Sequence, residues 1–491
     1  MSHIRMDNRV YRMLINGQLV SHNEVFDVIN PATGKIFAQA PRATSQNVSS
    51  AISAAREGFK SWSLLSRETR SQALFQAASV IEAHRADIEL LLSREQGKPL
   101  NSAAGETSTA ISMFRQAAQV AAVGFPIKHV KETHTHLLQV HHRPIGVVVG
   151  ITPWNYPVSL GCGKISRAIS HGNSIVLKPS PFTPLTSLYI GELLKDVFPP
   201  GVLNVVTGDD RSRELSLGQQ LVESPNINLV SFTGSVATGK RIMAACAANM
   251  TRVLLELGGN DPAIVLPDAD IHHAAKGIYQ MAMSNSGQIC CAIKRVYVHR
   301  KIYPDFVTEL VRLAREAVTS IGPGTTDEVK MGPLNNRAQL DRVIDLVADA
   351  VAKGGKVEVG GRVPPHLVAS GGYFYEPTIV TGISDGTRLV DEEQFGPVLP
   401  VIPWDDEKDV VERANNSVYG LGASVWGRDV EKLNSILTQL EAGIVWANEH
   451  AVLREGAPFG GMKQSGFRRE GDFAESDLDA YTEVQTVKLA K

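Results

Sequence analysis

The pattern of apolar and polar residues divides the chain into segments of different character. Up to about residue 123, apolar residues recur at helical spacing, most clearly over 47–63, 70–98 and 103–122. Residues 132–151 instead alternate with a period of two and are rich in β-branched side chains, which predicts strands. The first part of the chain is therefore predicted to be mostly helical and to end in strands.

From residue 145 to 257, short β-branched runs alternate with amphipathic helical stretches, and a second α/β series follows. This alternation predicts a mostly parallel, doubly wound sheet, which binds ligands beyond the carboxyl ends of its strands. The Gly/Pro-rich stretch 354–377 is expected to be a loop, and the C-terminal "DAYTEVQTVKLAK" a strand. The predicted strands are 146–152, 174–178, 202–206, 228–232, 252–257, 263–266, 295–299, 423–427 and 443–448, and the predicted helices are 184–197, 235–249, 269–284, 304–318 and 430–440.

Length and charge narrow the class of protein. At roughly 150 residues per domain, 491 residues predict two or three domains. The 49 Lys and Arg nearly balance the 51 Asp and Glu, so the charge gives no drive toward nucleic acid or anionic lipid. The polar start "MSHIRMDNRV" is no signal peptide, and no apolar run reaches the ~18 residues of a membrane span. We expect a cytoplasmic protein without nucleic-acid or membrane partners.

Cysteine and histidine usage predicts neither disulfides nor a metal site. Four cysteines are too few for a disulfide scaffold, and none has C-x-x-C spacing. Cys162 and Cys246 are expected to be small buried apolar residues. The histidines of the 132–151 segment have no carboxylate or cysteine at ligand spacing, so solvated strand faces are expected instead. These histidines are His134, His136, His141 and His142.

Polar residues follow several predicted strands. "TPWNYP" presents Asn155, "KPSPFTP" presents Lys178, and "FTGSVATG" places Gly234, Ser235 and Gly239 at a helix start. Backbone N–H groups at a helix N-terminus bind phosphate, and glycine allows close approach. The glycine spacing matches neither the dinucleotide fingerprint nor the P-loop, so a simple helix cap and tight turn stays an alternative.

Two further stretches carry candidate chemistry. In "LLELGGNDP", Glu256 closes an otherwise apolar strand, where it is either a solvated strand end or a general base facing a cleft. "SNSGQICCAIKR" (284–295) places Cys290 and Cys291 between a Gly-Gln pair and a Lys-Arg pair. A thiolate is a strong nucleophile when a nearby base or positive charge lowers its pKa.

Seven motifs together resemble the NAD(P)-dependent aldehyde dehydrogenase superfamily over essentially the whole chain. They are "VINPATGK" (28–35), "TPWNYP", "FTGS", "LELGG", "GQIC", "EEQFGPV" and "PFGGMKQSG", in the family's order and approximate spacing. The resemblance implies an α/β fold with a doubly wound, Rossmann-like parallel-sheet dinucleotide-binding domain, an α/β catalytic domain and a small β bridging arm for oligomerisation. The implied boundaries are 1–123 with 145–256 for the NAD(P)-binding domain, 257–471 for the catalytic domain, and 124–144 with 472–491 for the arm.

The resemblance assigns the catalytic residues by motif. The nucleophile stands two residues after Gln288, at Cys290, and Cys291 is its neighbour. The general base falls on Glu256 and the oxyanion-holding amide on Asn155. The implied reaction oxidises an aldehyde to a carboxylic acid through a Cys290 thiohemiacetal and a thioester, with hydride transfer to NAD(P)+ and hydrolysis by Glu256-activated water.

The resemblance also assigns a cofactor site. Lys178 matches the lysine that holds the adenosine ribose, and Glu393 and Phe395 match the residues that hold the nicotinamide ribose. Pro181 stands where many NAD-preferring members have a glutamate that excludes the 2′-phosphate of NADP. We predict NAD as the preferred cofactor and NADP as an allowed one. The predicted cofactor residues are Thr152, Trp154, Lys178, Ser180, Pro181, Phe232, Gly234, Ser235, Leu257, Glu393 and Phe395.

The substrate pocket is implied in outline. Gly163 stands where several relatives have a large aromatic residue, which suggests a roomy pocket for a medium or bulky, aromatic or aliphatic aldehyde. Arg454 and Glu455 are expected at its mouth or on the surface. At Arg468, where the family often has glycine, a local packing change is expected. The predicted walls are Tyr156, Leu160, Gly163, Ile289, Cys291, Val452, Leu453 and Phe459.

The sequence also bears on two alternative functions and on the oligomeric state. Coenzyme-A-acylating relatives commonly lack the general-base glutamate, so Glu256 disfavours that activity. A structural protein of the same fold is disfavoured because Asn155, Glu256, Cys290 and Glu393 are all present. The arm resembles one that pairs strand edges between subunits, so a homodimer or homotetramer is expected.

Overall fold

The computed structural model describes residues 9–209, 216–452 and 456–491. Strands and helices alternate along most of the chain after an N-terminal part that contains both. The elements up to residue 256 are β1 (Met13–Ile15), β2 (Gln18–Val20), β3 (Val25–Asn30), β4 (Lys35–Pro41), α1 (Ser45–Trp62), α2 (Arg67–Ala83), α3 (Arg85–Gln96), α4 (Leu100–Val123), β5 (Lys128–Glu132), β6 (His136–Pro144), β7 (Val147–Ile151), α5 (Pro157–Ser170), β8 (Ser174–Lys178), α6 (Leu185–Leu194), β9 (Leu203–Val205), α7 (Leu217–Val222), β10 (Leu229–Thr233), α8 (Val236–Ala247) and β11 (Arg252–Glu256).

The remaining elements continue the α/β alternation and end in a long strand. They are β12 (Asp261–Val265), α9 (Ile271–Met283), β13 (Ile293–His299), α10 (Tyr303–Ala317), α11 (Arg337–Ala352), β14 (Lys356–Val359), β15 (Thr378–Thr381), α12 (Arg388–Asp391), β16 (Val398–Trp404), α13 (Glu407–Asn415), β17 (Gly422–Trp426), α14 (Val430–Leu437), β18 (Ile444–Ala447), β19 (Gly466–Phe467), α15 (Glu475–Tyr481) and β20 (Thr482–Ala490).

The first sheet has the strand order β19-β11-β10-β7-β8-β9-β1-β2. Its central strands β11, β10, β7, β8 and β9 run parallel, as predicted. Every residue of β7, β8 and β10 is buried, because helices cover both faces of a parallel sheet. Parallel strands end at one edge, so Ile151, Lys178, Thr233 and Glu256 lie along the same side of the sheet.

Two further sheets complete the α/β architecture. The second has seven strands in the order β14-β15-β16-β13-β12-β17-β18. The third has three strands in the order β20-β6-β5, and it joins the C-terminal strand to the strands that precede β7. The predicted α/β fold class is confirmed.

Several element predictions need correction. The N-terminal part is less helical than predicted, because β1 and β2 extend the first sheet and β3 and β4 form a hairpin. The single helical stretch 70–98 is two helices, since His84 lies outside the helical region with φ −111° and ψ 16°. The expected loop 354–377 contains β14, whose Lys356–Val359 run pairs antiparallel with β15. Asp479 to Tyr481, expected in a strand, belong to α15.

The described residues also bear on membrane and metal expectations. Within 9–209, 216–452 and 456–491, no helix combines the length and apolarity that crossing a bilayer requires. Over the same ranges, His, Cys, Asp and Glu form no group of three placed to hold a metal ion. His142 Nδ1 lies 2.9 Å from the hydroxyl of Thr482 in the third sheet.

Candidate active site

Asn155 connects the end of β7 to the cysteine loop. The chain turns after Ile151 and starts α5 at Pro157, which leaves Asn155 in the connection with 4 % of its surface exposed. Its side-chain Nδ2 donates to the backbone oxygen of Gln288 over 2.8 Å. A carboxamide nitrogen carries two N–H groups, and this hydrogen bond uses one of them.

A buried ion pair that the sequence reasoning missed holds Asn155 from behind. Lys98 forms an ion pair with Glu106, and Lys98 Nζ donates to the backbone oxygen of Asn155 over 2.9 Å. Glu106 accepts from the backbone N–H of Val158 at 2.8 Å and of Ser159 at 3.1 Å, which satisfies the start of α5. Burial lowers the pKa of Lys98, and the Glu106 carboxylate opposes that change. The pair therefore fixes both the backbone of Asn155 and the helix that follows it.

The cysteine loop follows α9 through an irregular turn. Asn285 and Ser286 adopt left-handed backbone with φ 49° and 58°, which bends the chain sharply before the cysteines. Gln288 ties this turn to a distant segment, because its Oε1 accepts from the backbone N–H of Asn335 over 2.8 Å. This geometry of the loop leaves Cys290 partly exposed, whereas Cys291 is buried, with 6 % of its surface exposed.

The two cysteines have opposite electrostatic environments. A hydrogen-bonding interaction with the Cys291 thiol is the main cause that holds the pKa of Cys290 below its usual value, and the positive charge of Lys294 adds to it against the effect of burial. The same hydrogen bond, together with burial, raises the pKa of Cys291 well above its usual value. Lys294 Nζ also donates to the backbone oxygen of Cys290 over 2.6 Å. Of the two thiols, Cys290 therefore has the environment that favours the thiolate.

Glu256 ends β11 as a buried carboxyl without a partner. It is 4 % exposed, and neither oxygen accepts a hydrogen bond within the described part of the chain. Burial raises its pKa well above the usual value, and the negative charges of Glu470 and Cys290 act in the same direction. Lys164 and Arg469 oppose the shift.

A second buried network, also missed by sequence reasoning, lies beside Glu256. Lys164 of α5 donates to the hydroxyl of Ser231 over 2.7 Å and lies 3.5 Å from Glu470. Tyr481 donates to the second oxygen of Glu470 over 3.0 Å. Burial opposes ionisation of Glu470, but the nearby cations Lys164 and Arg167 and the Tyr481 hydrogen bond lower its pKa. In sequence these charges look like ordinary polar positions of amphipathic helices and loops.

The predicted phosphate-binding segment lies where β10 meets α8. Ser235 is exposed and caps α8, accepting from the backbone N–H of Thr238 over 3.3 Å. A Cβ at Gly234 would lie 2.5 Å from the Phe232 ring, so a larger residue here would require the ring to move. The hydroxyls of Thr152 and Thr233 are buried without a hydrogen-bond partner in the described residues. A helix N-terminus next to these two hydroxyls at adjoining strand ends suits a dinucleotide.

The remaining adenosine-side residues lie along the same edge. Lys178 ends β8 and is 9 % exposed. Ser180 accepts from the backbone N–H of Phe182 over 3.3 Å, and Pro181 follows it with a partly exposed ring. Leu257 is buried, and a Cβ at Gly239 would lie 2.6 Å from it, so α8 packs closely on the end of β11.

Glu393 and Phe395 come to the same region from far along the chain. Glu393 Oε1 accepts from the backbone N–H of Gly259 over 3.2 Å and lies 3.4 Å from Lys294 Nζ. Burial raises the pKa of Glu393, and Lys294 opposes that change. Phe395 has a left-handed backbone with φ 48°, and its ring meets Trp154 edge to face at 5.3 Å. The structure thus brings these residues next to the cysteine loop and the strand ends.

The predicted substrate pocket is partly as expected. Tyr156, Leu160, Ile289 and Phe459 are partly buried and Cys291 is buried, whereas Leu453, Arg454 and Glu455 lie outside the described residues. A Cβ at Gly163 would lie 2.7 Å from Arg167 Nη1 and 3.3 Å from Met113 Sδ. The room expected from a missing side chain at Gly163 is therefore filled by these two residues.

Val452 and Arg468 show local backbone features. The backbone oxygen of Val452 accepts from the Trp446 indole over 3.2 Å. Arg468 lies in the left-handed region with φ 68°, which explains why glycine suits this position. Its guanidinium donates to the backbone oxygen of Asp479 over 3.1 Å, so the side chain compensates in part for the strained backbone.

Comparisons with known proteins agree with this geometry. Residues 19–487 match the model of the aldehyde dehydrogenase family. The mitochondrial succinate-semialdehyde dehydrogenase of Arabidopsis thaliana is 38 % identical over 468 residues, covering 95 % of this chain and 86 % of that protein.

Solved structures show the same similarity. The NAD+ complex of aldehyde dehydrogenase from Bacillus cereus has a TM-score of 0.93 and 37 % identity, covering 99 % of this chain and 97 % of that one. An E. coli NADP-dependent enzyme has a TM-score of 0.92 and 34 % identity, covering 98 % of each chain. With the whole fold and nearly the whole sequence matched, the chain belongs to the aldehyde dehydrogenase family and oxidises aldehydes with NAD or NADP as the cofactor.

Proposed function

We propose that the chain converts an aldehyde to the carboxylic acid, with Cys290 as nucleophile, Asn155 as oxyanion donor and Glu256 as general base; the filled space at Gly163 leaves the medium or bulky preference expected from the sequence without its basis. One observation carries the proposal. A buried carboxyl with no hydrogen-bond partner among the described residues lies close enough to a low-pKa thiol for their charges to interact. Perturbed titratable groups of this kind are typical of catalytic sites.

The first step is attack by the Cys290 thiolate on the aldehyde carbon. The new S–C bond forms as the carbonyl electron pair moves to oxygen, which becomes an oxyanion. The free N–H of Asn155 and the backbone N–H of Cys290 are the donors for this oxyanion, and loss of one such donor costs ~10²–10³-fold in rate. Lys98 supports this step because it holds the Asn155 backbone.

The residues at the strand ends fit the cofactor. When bound, NAD(P)+ supplies the acceptor for the hydride that leaves the substrate carbon. Gly234 and Ser235 would hold its phosphates at the start of α8, and Lys178 would hold the adenosine ribose. Glu393 and Phe395 would hold the nicotinamide ribose, with Lys294 and Trp154 fixing their positions.

Acylation of Cys290 changes the charge near Glu256. The thiolate is one cause of the raised pKa of Glu256, and a thioester sulfur carries no such charge. The pKa of Glu256 therefore falls after acylation, and Lys164 and Arg469 favour its ionised form. The carboxylate then takes a proton from water, the water oxygen attacks the thioester carbon, and Cys290 leaves as a thiolate. Glu256 thus favours water over coenzyme A as acyl acceptor.

We also propose the domain division and assembly inferred from the sequence. The first sheet corresponds to the NAD(P)-binding domain, the second to the catalytic domain, and the third to the bridging arm. All five residues of β5 are exposed at the edge of the third sheet, where a partner's strand would cover unpaired backbone groups. A dimeric or tetrameric mass by light scattering is expected, and a monomer at micromolar concentration would contradict this assembly.

The catalytic proposal is tested by NADH formation over a panel of short aliphatic, long aliphatic and aromatic aldehydes, with NAD and NADP in parallel. Cys290→Ala should abolish turnover. Cys246→Ala, which removes a buried cysteine of α8 that has no role in the proposed reaction, is the matched control and should leave it intact. Full activity in Cys290→Ala would exclude the proposed nucleophile.

A further inference from the structure

Arg167 occupies the space that a side chain at position 163 would fill. Positions 156, 160, 163 and 167 follow one face of α5 and its approach, because residues three and four apart share a helix face. Helical side chains lean toward the N-terminus, and the Arg167 guanidinium accordingly lies back over Gly163, one turn closer to Asn155. An arginine thus replaces the apolar wall expected there.

The Arg167 guanidinium is buried, with its terminal nitrogens available. The residue is 7 % exposed, its guanidinium carbon lies 4.9 Å from the centre of the Phe473 ring, and Nη2 lies next to Gly471. Asp477 Oδ2 lies 3.3 Å from Nε, on one side of the fork. Neither Nη1 nor Nη2 donates a hydrogen bond to the described part of the chain, and Nη1 is the atom nearest Gly163. A guanidinium has five N–H groups, so four remain for a ligand.

Burial opposes the charge of Arg167, but the neighbouring carboxylates Asp477 and Glu470 raise the pKa of its guanidinium, and both carboxylates also have other hydrogen-bond partners. Asp477 accepts from the backbone N–H of Gly471 at 2.8 Å and of Phe473 at 2.9 Å. Glu470 is bound by Lys164 and Tyr481. The backbone of Glu470 pairs with that of Phe459, a predicted pocket wall, and a Cβ at Gly471 would lie 3.5 Å from Arg167 Nη2 and 3.6 Å from Phe459 Cβ. Nη2 of Arg167 and Phe459, a predicted pocket wall, therefore lie on either side of the Gly471 backbone.

We propose that Arg167 binds a carboxylate at the end of the substrate distal to the aldehyde, so that the preferred substrates are aldehydes that carry an acid group. This inference rests on the proposed function and replaces an uncharged distal wall with a cationic one. The planar fork of arginine matches a carboxylate and forms two parallel hydrogen bonds with it. Gly163 is required for this arrangement, because any Cβ there would displace Nη1.

The test compares paired aldehydes that differ only at the distal group: 4-oxobutanoate against butanal, and 4-formylbenzoate against its methyl ester. Wild-type kcat/KM should favour the acid of each pair by about tenfold or more, the effect of a charge-assisted hydrogen bond. Arg167→Gln should remove that preference, because kcat/KM for the acid of each pair should fall at least about tenfold more than kcat/KM for its neutral partner. Arg115→Gln, a surface arginine of α4 paired with Glu82, should change neither. Preference for the neutral partner in wild type, or equal losses on both partners in Arg167→Gln, would overturn the proposal.

A binding measurement separates this proposal from the reaction itself. Calorimetry of wild type should show tighter binding of pentanedioate than of pentanoate, and Arg167→Gln should bind the two alike. This binding measurement does not require turnover. The comparison of the two ligands on wild type also does not depend on whether the variant folds. Equal binding by wild type would refute the carboxylate site even if aldehydes are oxidised. Absence of oxidation of every aldehyde, with selective pentanedioate binding retained, would instead refute the proposed function alone.

Discussion

Removing the Cys291 thiol should weaken the nucleophile without removing it. In Cys291→Ala, the sulfur of Cys290 loses the hydrogen bond that is the main cause of its lowered pKa. A hydrogen bond to a charged group contributes about 1.5–3 kcal/mol, which corresponds to a roughly tenfold to hundredfold loss of thiolate at a fixed pH below the pKa. Lys294 still lies near, so the loss is partial.

The assay is the rate of alkylation of Cys290 by iodoacetamide as a function of pH, followed by mass spectrometry of the labelled peptide. The thiolate is the reactive form, so the rate of Cys291→Ala should fall at pH 7 and recover as the pH rises through the new pKa. Cys291→Ser keeps a hydroxyl donor of similar size and is the matched control, with a smaller loss. An unchanged pH profile in Cys291→Ala would refute the assignment of Cys291 as the donor.

Three other changes follow from the same structure. Glu256→Gln should still acylate but not hydrolyse, so stopped-flow absorbance should show one equivalent of NADH per site and then little turnover; sustained turnover would exclude Glu256 as the base. Lys98→Met removes the cation that holds the Asn155 backbone and leaves Glu106 buried and unpaired. We expect kcat to fall more than KM rises, and denaturant unfolding should show a loss of about 3–5 kcal/mol in stability. An unchanged kcat would argue against a positioning role for Lys98. Burial raises the pKa of Glu95 to about 7, although backbone N–H groups at the start of α6 donate to its carboxylate. Protonation of Glu95 therefore stabilises the fold fully below about pH 4.5, and this contribution shrinks as the pH rises to 7. Between pH 4 and 8, the free energy of unfolding of Glu95→Gln should therefore fall by roughly 3 kcal/mol less than that of wild type, and its Tm should fall less. Equal falls in Tm for the two proteins would contradict this.

The elements that sequence predicts well are those whose pattern is local. The runs that became β7, β8, β10 and β11 are β-branched and buried on both faces, so their character is visible without a partner. The strands β1 and β2 have three residues each and gain their strand character from pairing, with β1 bonded to β9 nearly 200 residues later. Such short segments carry no periodic signal of their own.

The candidate site divides in the same way. Cys290, Glu256 and Asn155 stand in motifs with recognisable neighbours, and the structure places each of them in a buried or constrained setting. Lys98 and Arg167 stand in helical or turn segments where a cation is ordinary in sequence. Their roles arise only because Lys98 reaches Asn155 57 residues later and Arg167 folds back over Gly163. Contacts between distant segments, and the direction of a long side chain, have no local pattern.

The short strand β19 has a consequence for synthesis of the chain on the ribosome. It pairs antiparallel with the end of β11, with Gly466 opposite Glu256 and Phe467 opposite Leu255. A nascent chain that has completed the other parallel strands of the first sheet still has an open edge at β11 until the 210 residues that separate Glu256 from Gly466 have emerged. In a chain truncated before Gly466, Glu256 should be inactive as a base and the open edge of β11 should be prone to aggregation. Both effects are expected because the segment that closes this edge also encloses Glu256.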